Sequence, residues 1–572
     1  MVTPEIIEAS KQWLSSTFDA ETQKEIQDLI DNNPEELTDR FYKNMEFGTG
    51  GMRGVMGAGT NRINKYTLGK ATQGLSNFLI ANNANKEISA VIAYDCRHNS
   101  KEFAKVVADV FTANGIKVFL FDDLRTTPEL SFAVRHLGAD TGIVLTASHN
   151  PPEYNGYKVY GADGCQVTPP NDGLIINEVN KVSFDTIKFE ANDSLLTYIG
   201  EDVDNAFNEI SVAKGTFGDI DRSALKVVFT SLHGTSIKSV PQVLEKAGFS
   251  DVTLVEEQAV PNGDFPTVKS PNPEEPEALA MATALSNKIG ADILMGCDPD
   301  SDRLGIAVRD LEGNMKLLNG NQTMILMTDF LIKQKEAAGK LNGNQFTATT
   351  IVSSEMVKVL ADYYGIETVI TLTGFKWIGK SIADYPEKEF IGGGEESFGY
   401  MIGDFVRDKD AVTSCLLACE MAAHAKANGT TLYQQLLDIY VKHGFYKESL
   451  ISITKKGMDG AAQIQQMLVE YRNNPMKEIL GSKVAYVCDY ESSIKKNIIT
   501  GEETTMDIPK SNVLIYHTED GTKVCVRPSG TEPKIKFYFG VKGALSKIED
   551  AEKVEAQLDQ KIQDVIKELS LN

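Results

Sequence analysis

The 572-residue sequence contains no run of about 18 consecutive apolar residues, the length a membrane-spanning helix needs. Its richest apolar stretch, Ser414 to Ala423, is short and carries Glu420, so it reads as a buried helix. The opening residues Met1-Val2-Thr3-Pro4-Glu5 lack the basic start and apolar core of a secretory signal. The seven cysteines (Cys96, Cys165, Cys297, Cys415, Cys419, Cys488 and Cys525) form no CxxC pair and are odd in number, which argues against a disulfide framework and a clustered zinc site. Positive charge is also short: 57 basic against 80 acidic residues gives a net charge of −23. That opposes general binding to nucleic acid or to an acidic membrane. No low-complexity tract or short-period repeat interrupts the chain. Together these absences predict a soluble, cytoplasmic protein with free thiols and neither nucleic acid nor membrane as partner.

What is present is the material of several globular cores. The composition is 42% hydrophobic and 24% charged, and at roughly 150 residues per domain the length predicts three or four domains. Up to about Tyr42 the chain reads as helical, with Ile6, Trp13, Leu14, Ile26, Leu29 and Ile30 on one face. A glycine-rich loop, Phe47 to Gly54, follows. Then short β-branched or aromatic runs alternate with helical stretches: Ile88–Tyr94, Lys117–Phe121 and Gly142–Thr146 in one round; Lys226–Phe229, Val252–Val255 and Ile293–Met295 in a second, with helices over Lys238–Ala247 and Glu275–Asn287. Thr347–Val352, Glu367–Leu372 and Glu389–Ile391 form a third. This alternation predicts parallel sheets covered on both faces. Beyond about Tyr446, the runs Lys483–Cys488, Val513–His517, Lys523–Val526 and Ile535–Phe539 suggest an antiparallel sheet, closed by a charged amphipathic helix from Leu545 to Leu569. The predicted fold class is therefore α/β: three consecutive α/β domains with mixed, mostly parallel sheets (residues 1–205, 206–318 and 319–445) and a C-terminal α+β domain (446–572).

Four loops carry chemistry, three of them directly after strands, where open α/β sheets bind ligands. In Leu145-Thr146-Ala147-Ser148-His149-Asn150-Pro151-Pro152 the serine alone reads as a turn residue. Its company, His149 and the downstream Asn155-Gly156-Tyr157-Lys158, makes it a candidate nucleophile with either Lys158 or His149 handling the proton. No glycine flanks it as in a nucleophile elbow. In Gly296-Cys297-Asp298-Pro299-Asp300-Ser301-Asp302-Arg303, three alternate carboxylates repel one another unless a divalent cation compensates. An EF-hand is excluded because Arg303 and Arg309 occupy the positions that need glycine and glutamate. Gly392-Gly393-Gly394-Glu395-Glu396-Ser397-Phe398-Gly399-Tyr400 lacks the Lys-Ser/Thr of a Walker A loop and offers acceptors for sugar hydroxyls. Val526-Arg527-Pro528-Ser529-Gly530-Thr531-Glu532-Pro533-Lys534 is a candidate anion nest. It answers a puzzle set by the charge: an anionic substrate would need positive groups gathered locally.

These loops, in this order from Phe47 to Phe539, resemble the α-D-phosphohexomutase superfamily. The resemblance implies a phosphoserine at Ser148, with His149, Lys158 and Arg53 in the catalytic machinery. It implies one Mg2+ per subunit on Asp298, Asp300, Asp302 and the Ser148 phosphate. Sugar-phosphate contacts would come from Arg303, Glu395 and Ser397, with Gly374, Lys376 and Lys409 as further candidates, and the phosphate loop would be Arg527, Ser529, Gly530 and Thr531. The glycine loop before Arg53 is longer than the form in many phosphomannomutases. Gly394-Glu395-Glu396-Ser397 resembles the glucose-specific form, whereas dual-specificity relatives more often carry methionine in place of Glu396. Thr373-Gly374-Phe375-Lys376-Trp377 and the N-terminal helices are similar to the subgroup that includes phosphopentomutases. The implied activity is interconversion of glucose 1-phosphate and glucose 6-phosphate, with glucose 1,6-bisphosphate as intermediate and activator. Mannose and pentose phosphates are alternative substrates, and a phosphatase or a non-catalytic sugar-phosphate binder are alternative functions. Monomer and homodimer both remain open.

Overall fold

The computed structural model describes residues 2–48, 50–84, 86–455, 458–528 and 534–571. They form two compact units: Met1–Asn319 with Phe375–Asn428, and Gly320–Gly374 with Gly429–Asn572.

The first unit holds two mixed sheets. In the first, the order is Gly51–Val55, Tyr154–Gly161, Thr141–Leu145, Ser89–Tyr94, Lys117–Phe121, Leu196–Ile199. The last four strands run parallel, and the first two are antiparallel additions. Central strands such as Ser89–Tyr94 are apolar almost throughout because helices cover both faces; Ile92, Val118 and Ile143 are fully buried with Leu75 and Phe111 from the flanking helices. The N-terminal helices Pro4–Gln12, Ala20–Asn32 and Pro34–Phe41 build a separate aromatic cluster of Trp13, Phe18, Phe41 and Tyr66. The second sheet is ordered Met315–Leu318, Leu304–Arg309, Ile293–Cys297, Lys226–Thr230, Asp251–Leu254, with the last three parallel. The hairpin Glu389–Gly394/Tyr400–Ile402 and the helix Ala411–Ala427 complete this unit. That helix contains the apolar stretch around Ser414, and it is buried along nearly its whole length.

The second unit contains the parallel pair Gln345–Thr350/Glu367–Thr371 and an antiparallel sheet. The sheet order is Phe445–Thr454, Lys534–Gly543, Lys523–Pro528, Leu514–Thr518, Ser482–Asp489, Ile494–Asn497, Glu503–Thr505, and the helix Ala551–Glu568 packs on its first two strands. Three α/β segments and a C-terminal antiparallel domain are thus present, as the sequence predicts.

The differences have local causes. The helix expected over Glu275–Asn287 begins at Ala280, because Pro273 and Pro276 hold the preceding chain in turns such as Glu275 N–H to Asn272 O. The last helix begins at Ala551 rather than Leu545. Gly51–Val55, within the stretch expected to be a glycine-rich loop, is a strand, and Tyr154–Gly161 and Phe445–Thr454 are strands the patterning does not mark.

Candidate active site

The site lies in the first unit, where three strand ends release their loops. Ser148 follows Thr141–Leu145, Asp298 follows Ile293–Cys297, and Glu395 follows Glu389–Gly394. Each loop contains one non-glycine residue in the left-handed region: Ser148 (φ 51°), Ser301 (φ 61°) and Phe398 (φ 64°). Backbone strain of this kind persists only where surrounding structure over-determines it, and it concentrates at functional sites.

Ser148 is 5% exposed, and its Oγ donates to Asp298 Oδ2 at 2.6 Å and lies 3.2 Å from His149 Nδ1. Burial, together with Arg303 and Arg53, pushes the His149 imidazolium down to about 2, so the ring is neutral at physiological pH. Asp298, Asp300 and Asp302 are buried and each places an oxygen within 4.8 Å of the others. Burial and its two neighbours hold the Asp298 carboxyl well above the usual range. Asp302 faces the same burial, but Lys158, Lys409 and Arg303 outweigh it and hold its carboxyl low. Lys158 Nζ donates to Asp300 Oδ2 at 2.7 Å and Asp302 Oδ2 at 3.0 Å, while Lys409 Nζ sits 3.1 Å from Asp302 Oδ2. Burial alone would favour neutral lysines here; the facing carboxylates reverse this and raise both ammonium groups above their usual range.

A divalent cation fits this donor set. Asp300 Oδ1 and Asp302 Oδ1 are buried and have no hydrogen-bond partner, which is costly unless something else accepts them as ligands. All the donors are hard carboxylate oxygens. Two residues with no sequence signal of their own support the loop. Thr127 donates through Oγ1 to Asp300 Oδ2 at 2.9 Å and through its N–H to Asp300 O, and Thr235 donates to Pro299 O. Both come from other strand ends, more than sixty residues away in the chain.

Around this centre the acidic protein gathers its cations. Arg53 stands exposed on the Gly51–Val55 strand, paired at Cα level with Gly156. Arg303 donates to Glu274. Glu395 is buried, which pushes its carboxyl up to about 7 against the pull of Lys409, and it shares a hydrogen bond with Ser397. Lys409 reaches the aspartate loop from the segment before the helix Ala411–Ala427, and is paired also with Asp408 at 3.1 Å. Lys376, on the helix Phe375–Asp384, has its Nζ 3.8 Å from Asp172 of the helix Asn171–Lys181. In the second unit, Gly374 takes φ 112° and Arg527 lies half-buried on the strand Lys523–Pro528. Ser529, Gly530 and Thr531 lie outside the described residues. Among the described residues no helix is long and apolar enough to cross a membrane, and all seven cysteines are free.

Comparison with known proteins matches residues 44–186, 206–313 and 319–440 to the alpha/beta/alpha domains I, II and III of phosphoglucomutase/phosphomannomutase, and 478–567 to its C-terminal domain. A phosphoglucomutase of Staphylococcus epidermidis is 39% identical over 524 residues, covering 90% of this chain and 94% of the relative. One from Staphylococcus aureus is 40% identical over 512 residues, covering 89% and 91%. Among solved structures, the open form of the Paramecium phosphoglucomutase parafusin superposes with a TM-score of 0.65 at 17% identity, covering 92% of this chain and 96% of that one. A phosphoglucomutase/phosphomannomutase family protein from Burkholderia thailandensis gives 0.63 at 18%, covering 91% and 96%. At these identities the structural likeness concerns the fold.

Proposed function

The chain belongs to the phosphoglucomutase/phosphomannomutase family, and from that premise we propose that it interconverts glucose 1-phosphate and glucose 6-phosphate through a phosphoserine at Ser148. As a phosphosugar mutase it moves a phosphoryl group between two positions of one sugar. The observation that carries the assignment of Ser148 is its Oγ, 2.6 Å from Asp298 Oδ2 at the mouth of the aspartate cluster. Glucose is supported by the curated relatives named phosphoglucomutase and by the Glu395-Glu396-Ser397 loop.

In the proposed reaction the phosphoryl group leaves Ser148 Oγ for a sugar hydroxyl, the proton that hydroxyl loses is matched by one that Ser148 Oγ takes up as it becomes a hydroxyl again, and glucose 1,6-bisphosphate forms. The bisphosphate turns round and returns its other phosphoryl group to Ser148. Asp298, Asp300 and Asp302 would hold Mg2+, whose charge when bound lowers the cost of the negative charge building on the phosphoryl oxygens. Arg53 and Arg303 add fixed positive charge at the same place. Neutral His149, with Nδ1 3.2 Å from Oγ, is placed to accept a proton at the serine. Lys158, charged and held by two aspartates, is suited to orient and donate rather than to accept. Glu395 and Ser397 would bind sugar hydroxyls, and Arg527, with Ser529, Gly530 and Thr531, the non-reacting phosphate. Lys376 and Lys409 are proposed substrate contacts. We also propose domain boundaries near residues 205, 318 and 445, and a cytoplasmic location suited to free thiols.

Incubating the protein with glucose 1-phosphate, Mg2+ and trace glucose 1,6-bisphosphate tests this. Glucose 6-phosphate is the expected product. Free phosphate would instead indicate a phosphatase, and no turnover a binding protein. Mannose and pentose 1-phosphates as competitors decide the sugar.

A further inference from the structure

Arg97 has no place in the chemistry described above, yet it is aimed at the loop that carries it. It follows the Ser89–Tyr94 strand, its side chain is wholly buried, and its guanidinium lies against the ring of Phe265, 5.0 Å from the centroid. From there Nη2 donates to the carbonyl oxygens of Ser148 (2.6 Å) and Asn150, and Nη1 to those of Pro151 (2.8 Å) and Tyr154 (3.1 Å). Four main-chain acceptors of one short loop thus converge on one side chain. Asp95 braces the fork from behind: its Oδ2 lies 3.4 Å from Arg97 Nε, and its Oδ1 accepts from the Arg97 N–H at 2.9 Å and from Ser100 Oγ at 2.8 Å. The segment bearing Phe265 comes so close that a Cβ on Gly263 would fall 3.0 Å from Cys96 O.

We propose that Arg97 is the positioning residue for the phosphoryl-carrying serine: its guanidinium gathers the carbonyls of residues 148 to 154 and holds Ser148 in the left-handed conformation from which Oγ meets Asp298. This rests on the assignment of Ser148. The other bonds of the loop do not gather its start: Ser148 N–H donates to Thr146 Oγ1 and Asn150 N–H to Ala147 O within the loop, while Met56 N–H reaches only Glu153 O at its far end. Only a planar guanidinium supplies enough divergent N–H donors for four acceptors spread along the chain; a lysine ammonium offers three donors from a single point. With the fork lost, the buried Ser148 carbonyl loses its donor and those of Asn150 and Tyr154 lose theirs, so the loop must rearrange to reach other donors.

The test compares Arg97→Lys, Arg97→Ala and Ser148→Ala in the full-length protein. Arg97→Lys keeps a cation beside Asp95 and should stay folded, but its kcat should fall about 100-fold, the scale of a reacting group misplaced by an ångström. KM for glucose 1-phosphate should stay within about threefold, since substrate contacts are not removed. Arg97→Ala should lose more and regain at least about tenfold in kcat when guanidinium ion, far below denaturing concentration, refills the vacated site. Such rescue would not follow from a general loss of stability. The proposal is overturned if folded Arg97→Lys turns over at the wild-type rate, or if folded Arg97→Ala is impaired and guanidinium restores nothing. Should Arg97→Ala fail to fold, the lysine variant decides alone. Ser148→Ala separates the two ideas: activity kept in that variant removes the premise, whereas activity lost there but kept in Arg97→Lys removes only the role of Arg97.

Discussion

Replacing Asp298 with asparagine should act in opposite directions on the metal-free and metal-loaded protein. Asp298 is buried beside Asp300 and Asp302, with oxygens within 4.8 Å of one another. A like-charge pair at 4.8 Å costs about 3.5 kcal/mol at an effective dielectric near 20, and Asp298 takes part in two such pairs. Arg303 offsets part of this, but burial and the two neighbours win and hold the carboxyl well above its usual range. Asparagine has the same shape. Its Oδ1 can still accept from the N–H groups of Asp302 and Arg303, and its amide can still meet Ser148 Oγ. The sign follows directly: a carboxyl whose folded pKa is raised costs stability as pH climbs through that pKa, so the gain from Asp298→Asn grows with pH. At about pH 8 the metal-free variant should melt at least about 2 °C above the metal-free wild type. Mg2+ at a hundred times its Kd should stabilise the wild type by about 2.7 kcal/mol and leave the variant's Tm unmoved. Scanning calorimetry in EDTA and in Mg2+ reads both effects. A metal-free variant less stable than the wild type, or one that Mg2+ stabilises as fully, would refute the reasoning.

Three further outcomes follow from other parts of the structure. Because burial lifts Glu395 to about 7, its acceptor form grows as pH rises through that value; wild-type KM for glucose 1-phosphate should fall across that window, and Glu395→Gln should raise KM about tenfold and flatten its dependence on this group in a pH–rate series. In the second unit, burial lifts Glu448 to about 7, against help from Ser354 and Lys523. Its raised folded pKa means stability is lost as pH rises from about 4.5 to 7, so Glu448→Gln should match the wild type near pH 4.5 and be more stable above pH 7. The gain should be on the order of 1 kcal/mol, discounted because the side chain is only partly shielded, and thermal melts across pH would show it. Gly51 takes φ 137°, and a Cβ there would sit 1.8 Å from Tyr157 O; Gly51→Ala should cost at least about 3 kcal/mol in a denaturant titration, since both conformation and space forbid it.

Much of the chemistry was legible because it is local. Three aspartates at alternate positions after an apolar strand announce themselves in eight residues, and Ser148 and Glu395 follow strands whose β-branched runs are plain. The hidden parts are those whose meaning lies across the chain. Lys409 stands 3.1 Å from Asp302, and Thr127 2.9 Å from Asp300, through folding alone. Asn155-Gly156 looks like a turn, but it lies within a strand, where glycine is needed because a Cβ would fall 2.5 Å from Thr146 O. Phe445–Thr454 is hard to see because its polar residues alternate weakly and Phe445 is its only buried residue. Lys158 illustrates the limit of residue type: the sequence left it equal to His149 as a base, whereas two facing carboxylates keep it charged.

The most direct measurement follows the phosphoryl group itself. The protein is incubated with radiolabelled glucose 1,6-bisphosphate, quenched and digested, and then, in a parallel sample, chased with unlabelled glucose 1-phosphate. The account predicts label on the peptide containing Ser148, its transfer to sugar bisphosphate or glucose 6-phosphate during the chase, and no label or isomerisation in Ser148→Ala. Isomerisation at the full rate by Ser148→Ala, or label that stays on Ser148 through the chase, would contradict it.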